Sequence, residues 1–154
     1  MIEITGNLWT FEADVRVITT NGTVKKNGEC VMGRGCALEA KLRWPRFPAY
    51  LGQQLTECGN VVLDCGGWPG EDARIVTFPV KHHWHERADL DLIRRSALDL
   101  HHLSNLRSSV GWDTIVMPRP GCGNGGLRWE DVCPVIAPIL DDRFHVITFD
   151  RKRG

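Results

Sequence analysis

Residues 114–129 read TIVMPRPGCGNGGLRW, and the order of features in this stretch decides the fold. Thr114 to Met117 is a short apolar, β-branched run suited to a buried strand. Four glycines follow within residues 121–126, and Trp129, Val132, Cys133, Ile136 and Leu140 then trace a helical face. Pro134 and Pro138 predict that this helix is short or kinked. A strand, a glycine loop and a helix start together place backbone N–H groups where they can surround an anionic oxygen. A turn that binds nothing is the plain alternative.

The same arrangement occurs upstream. Val15 to Thr19 reads as a strand, residues 20–35 read TNGTVKKNGECVMGRG, and a helix is predicted from Ala37 to about Arg43, ending at Trp44-Pro45. The loop contains neither GxxxxGK[ST] nor GxGxxG. Taken alone it fits a structural loop as well as a phosphate loop. Two matched loops favour phosphate binding.

The remaining segments alternate. Ile2 to Thr5, Asn60 to Cys65, Arg74 to Val80 and Phe144 to Phe149 read as strands. A helix spans Phe47 or Pro48 to about Glu57 and stops at Gly59. Leu90, Ile93, Ala97 and Leu100 form the stripe of another, with Asp89 and Asp91 near its start, where acid suits the helix dipole. This order predicts an α/β layered domain with a parallel or mixed sheet. In such sheets ligands sit beyond the carboxyl ends of the strands, where both glycine loops fall.

Lys81 ends one of these strands, in the run Thr77-Phe78-Pro79-Val80-Lys81-His82-His83-Trp84-His85. A desolvated amine there would serve as nucleophile or charge stabiliser; a solvated surface lysine is the ordinary alternative. The three histidines lack the spacing of a zinc site and read as surface groups. Cys122, set between glycines, is a poor nucleophile candidate. Trp84 is the tryptophan nearest the site; the others read as core or rim.

The chain has 154 residues, 42% hydrophobic and 25% charged, which suits one domain spanning 1–154. Lys plus Arg and Asp plus Glu both number 19, so no global field recruits nucleic acid, and Arg151-Lys152-Arg153 reads as a solvated terminus. No signal peptide or membrane span is apparent, and the six dispersed cysteines read as free thiols. These features predict a cytoplasmic protein and, by default, a monomer.

Three segments together resemble the macrodomain family, and the resemblance covers nearly the whole chain. They are Val31-Met32-Gly33-Arg34-Gly35 with Ala37-Leu38 and Lys41; Phe78-Pro79-Val80-Lys81-His82-His83-Trp84; and residues 121–127 with Trp129. The pattern is most similar to the DarG-type branch, whose members remove ADP-ribose from thymidine in DNA, and to the related terminal ADP-ribose protein glycohydrolases. The resemblance implies a three-layer α/β/α domain with a central mixed sheet and ADP-ribose lying across its carboxyl edge. It implies ligand contacts at Asn7, Leu8, Thr20, Met32, Gly33, Arg34, Gly35, Pro79, Pro120, Gly121, Cys122, Gly123, Asn124, Gly125, Gly126 and Phe149. Lys81 matches the branch's catalytic lysine, and Asn21 the asparagine that approaches the distal ribose.

Two positions depart from the family. Asn7 stands where an aspartate often reads the adenine amino group, and Gly125 where the protein-directed enzymes carry a catalytic aspartate. Gly125 tilts the expected substrate toward ADP-ribosylated DNA, with ADP-ribosylated protein carboxylates second. The insertion Gly22 to Cys30 adds Lys25 and Lys26 near the cleft mouth, either as phosphate contacts or as solvated charges. The resemblance implies ADP-ribose as ligand and no cofactor or metal. Two other activities share the same loops: a non-catalytic ADP-ribose reader and an ADP-ribose 1″-phosphate phosphatase. A toxin antagonist and a phage counter-defence protein would both carry this pattern.

Overall fold

In the computed structural model, which describes residues 1–149, six strands form one sheet in the order β1-β6-β5-β2-β4-β3. The strands are β1 (Ile2–Thr5), β2 (Val15–Asn21), β3 (Leu63–Asp64), β4 (Arg74–Lys81), β5 (Ile115–Pro118) and β6 (Phe144–Thr148). Every pair is parallel except β3 with β4, so the sheet is mixed. The basic run Arg151-Lys152-Arg153 lies outside the described residues.

Alternation along the strands builds two cores. Val15 and Val17 of β2, Val76, Phe78 and Val80 of β4, Ile115 and Met117 of β5, and Phe144 and Val146 of β6 face one side. There they meet Ile93, Ala97 and Leu100 of α3 (Leu90–Leu106) and Val132 and Ile136 of α4 (Trp129–Ile136). Ile18, Ile75, Val116 and Ile147 face the other side, against Ala37 and Ala40 of α1 (Gly35–Arg43) and Phe47, Leu51 and Leu55 of α2 (Phe47–Cys58). Helices, sheet and helices make three layers, as expected for a macrodomain.

Boundaries shift where hydrogen bonding intervenes. The strand expected over residues 60–65 shrinks to Leu63–Asp64 in the ladder, because Val61 N–H turns back to Gly59 O and the Asn60 side chain bonds Lys81 O. The last helix stops at Ile136 rather than reaching Leu140. Pro138 lacks the N–H that would bond the Pro134 carbonyl. Asp89 caps α3, its carboxylate accepting from the Asp91 and Leu92 N–H groups.

The central pair matters most for function. β2 leads into α1 on one face, and β5 leads into α4 on the other. The chain therefore diverges at the carboxyl ends of β2 and β5, which opens a crevice at the switch point.

Candidate functional site

A cleft of about 1030 Å³ fills that crevice. Its floor and walls come from the turn after β1, the two glycine loops, and the segment that follows β4.

Lys81 reaches the cleft through an irregularity in the sheet. The β2–β4 register runs Thr20 with Pro79 and then shifts, so Asn21 pairs with Lys81 and Val80 is skipped. The shift brings the two candidate catalytic residues side by side. Lys81 Nζ donates to Trp84 O at 3.3 Å and to Asn124 O at 3.4 Å, bridging its own segment and the second glycine loop. Asn21 is spent on the first loop: its Nδ2 donates to Val31 O at 2.9 Å, and its Oδ1 accepts from Thr23 N–H at 3.0 Å. One amide proton and one lone pair remain for a ligand.

The segment after Lys81 fastens both glycine loops. Trp84 N–H donates to Thr23 Oγ1 in the first. In the second, Ala88 N–H donates to Gly125 O at 2.9 Å, and the Arg87 guanidinium bonds Gly126 O at 2.8 and 3.2 Å. The second loop folds back on itself through Leu127 N–H to Gly121 O, with Gly121 at φ +76°. A Cβ on Gly125 would lie 2.5 Å from Gly121 O and 2.8 Å from Ala88 Cβ. Position 125 therefore has no room for a carboxylate in this backbone.

The structure brings together Asn7, Leu8, Thr20, Asn21, Gly33, Arg34, Gly35, Lys81, Gly121, Gly123, Asn124, Gly125, Gly126 and Phe149 around the cleft. Four other expected ligand contacts do not line it. Met32 is buried in the α1–α2 core. Pro79 lies within β4, its carbonyl accepting from Ser96 Oγ. Pro120 is buried, and Cys122 packs toward the α3–α4 core, where burial pushes its thiol up to about 11. Met32, Pro120 and Cys122 sit beside glycines that line the cleft, and Pro79 precedes Val80, which also lines it; sequence adjacency cannot separate the two directions.

Several lining residues lie outside the expected ligand set. Lys25 lines the cleft while pairing with Glu29 at 3.7 Å; Lys26 is exposed away from it. Trp9 is fixed by its Nε1–H to Glu39, and Arg119 lies over the Trp129 ring at 4.8 Å, with a buried Nε lacking a partner. Lys25, Arg34, Lys81, Arg87 and Arg119 face only Glu39 and Glu86 among the lining carboxylates. In a chain of zero net charge, this local excess suits an anionic ligand. The histidines diverge, His82 pairing with Asp89 at 2.9 Å and His83 lying 4.0 Å from Glu86. Among the described residues no group of three His, Cys, Asp or Glu side chains is placed to hold a metal ion.

No family model matches the chain. A curated Mycobacterium tuberculosis protein named DNA ADP-ribosyl glycohydrolase is 36% identical over 109 residues, covering 66% of this chain and 29% of that protein. A Thermus aquaticus protein of the same name is 32% identical over 145 residues, covering 90% of this chain and 37% of that protein. The chain thus spans well under half the length of these relatives. Among solved structures, the macrodomain of M. tuberculosis DarG superposes with a TM-score of 0.75 at 27% identity, over 97% of this chain and 98% of that one. The macrodomain of T. aquaticus DarG gives 0.73 at 25% identity, over 97% of each. With its whole layered architecture shared with these domains and its two glycine loops meeting over one cleft, the chain belongs to the macrodomain family.

Proposed function

We propose that this macrodomain binds ADP-ribose and hydrolyses the glycosidic bond joining ADP-ribose to a nucleobase in DNA. The observation that carries the reading is Lys81: its amine stands between the glycine loops, held by Trp84 O and Asn124 O beside Asn21. The curated relatives at 36% and 32% identity are named DNA ADP-ribosyl glycohydrolase, which supports the same reaction here.

In this reading the glycine loops surround the diphosphate with backbone N–H groups and oriented peptide dipoles. The apolar end of the cleft, formed by Leu8, Ile147 and the exposed Phe149, receives the adenine. Asn21 orients the distal ribose. Lys81 engages its anomeric carbon, either attacking it as a neutral amine or stabilising charge as the bond to the base breaks. Both routes balance in the same way. The base leaves with the bonding electron pair and takes up a proton. Where Lys81 has bonded to the anomeric carbon, water then displaces the amine, and in both routes water supplies the hydroxyl of the released ADP-ribose. Because position 125 carries no carboxylate, positioning and electrostatics supply most of the rate enhancement.

The test is release of ADP-ribose from thymidine-modified single-stranded DNA, comparing the wild type with Lys81→Ala. Release by the wild type, lost in the variant while ADP-ribose still binds, is expected. A wild type that binds ADP-ribose but releases none from DNA sinks the assignment. Undiminished release by the variant sinks the role of Lys81.

A further inference from the structure

The cleft carries exposed aromatic rings at two places, and ADP-ribose brings only one base. Phe149 follows β6 and is 66% exposed; Trp84 follows β4 and is 52% exposed. β5 and β2 separate those strands, so the two sites lie three strand spacings apart, roughly 14 Å. With adenine at the Phe149 end, Trp84 stands at the opposite end of the cleft, on the segment that follows Lys81.

We infer that Trp84 is a stacking platform for a base of the single DNA strand that carries the adduct. The inference rests on the DNA-hydrolase reading for the identity of that strand.

Three observations support it. First, the backbone of Trp84 is held from both sides, by its N–H on Thr23 Oγ1 at 3.0 Å and by its carbonyl accepting from Lys81 Nζ at 3.3 Å. A ring presented from a fixed backbone costs little entropy to engage. Second, His85 packs edge-on against the Trp84 ring, at 5.6 Å between centroids and 76° between planes, which braces the indole from the side. Third, Lys25, which pairs with Glu29 at 3.7 Å, and Arg87 line the same cleft, with Glu86 the lining acid next to Arg87. An exposed aromatic face next to basic side chains is the arrangement that binds unpaired strands, because every base offers a π-face and every linkage a phosphate charge. A base inside a duplex is already stacked on both faces, so the platform selects single-stranded DNA. An acidic peptide would use the charges but leave the indole face without a partner.

The test uses Trp84→Ala and Trp84→Phe in two assays. One is anisotropy of a labelled, unmodified oligothymidylate at low salt; the other is steady-state release from an ADP-ribosylated oligonucleotide, with calorimetric affinity for free ADP-ribose alongside. Alanine is expected to weaken oligonucleotide binding and raise KM by about tenfold. It should shift ADP-ribose affinity far less, and phenylalanine should recover most of the loss. An unchanged oligonucleotide affinity and KM in Trp84→Ala overturns the inference. So does an equal fall in ADP-ribose affinity, or an equal loss on an ADP-ribosylated protein. If the wild type binds the oligonucleotide through Trp84 yet releases no ADP-ribose from it, the hydrolase reading fails and the base platform stands.

Discussion

Lys81 Nζ donates to the main-chain oxygen of Asn124 at 3.4 Å, so the amine proposed to reach the anomeric carbon is tied to the loop proposed to hold the diphosphate. Lys81 O accepts from the Asn60 side chain at 3.0 Å, which fixes the other end of the residue. Chemistry and binding share one frame, and changes in that frame should move both.

Gly125 is the position where the frame is tightest. Gly125→Ala would push a methyl group against Gly121 O and Ala88 Cβ, so the loop must shift. A loss of ADP-ribose affinity of at least about tenfold is expected, with the overpacking cost of ~1–3 kcal/mol in stability. Calorimetry and urea unfolding measure the two. A variant that binds like the wild type would show that the loop takes another path.

Arg87 holds the same loop from outside, with its guanidinium on Gly126 O. The side chain is exposed, so Arg87→Ala should change the unfolding midpoint little, within about 0.5 kcal/mol. ADP-ribose affinity should fall several-fold as the loop loses its outer tether. Arg87→Lys, a point charge lacking the forked geometry, should recover only part. An unaltered dissociation constant in Arg87→Ala would remove this role.

Arg16 is buried at 2% exposure within β2 and pairs with Glu71 at 3.0 Å. It also donates to the carbonyls of Leu8 and Phe11, closing the turn after β1 that forms one end of the cleft. Arg16→Ala leaves Glu71 without its partner and the Leu8 and Phe11 carbonyls without a donor. A loss of about 3–5 kcal/mol follows from breaking one side of a buried pair. Denaturant titration checks it, and a cost below about 1 kcal/mol would show that water replaces the guanidinium.

Acid should unfold the protein partly through Asp141. Hydrogen bonds from the Arg143 guanidinium hold its carboxyl well below the usual carboxylate range, and a hydrogen bond with the His82 ring lowers that of Asp89. A depressed folded-state value means stability that is complete above the ordinary value of 3.8 and is lost as pH falls through the folded value. The fall in urea midpoint below about pH 4 should therefore be shallower in Asp141→Asn than in the wild type. Equal slopes would assign the acid limb elsewhere.

Most of the architecture is legible in the chain. Apolar, β-branched runs in residues 15–19 and 74–80 and the alternating residues 144–149 mark strands, and the Leu90–Leu100 stripe marks α3, because burial acts on local patterns. The glycine clusters at 22–35 and 121–126 locate the two loops, because their backbone needs are local too. Three things were decided only by tertiary packing. The register shift that sets Asn21 beside Lys81 belongs to two strands at once, and no single strand encodes it. The fastening of both loops by Trp84, Arg87 and Ala88 joins residues tens of positions apart. The turning of Met32, Pro79, Pro120 and Cys122 away from the cleft depends on which side of the backbone the core offers a better fit. Local sequence sets which loops a chain can form; the direction each side chain takes within them is set by the surfaces that the rest of the fold brings alongside.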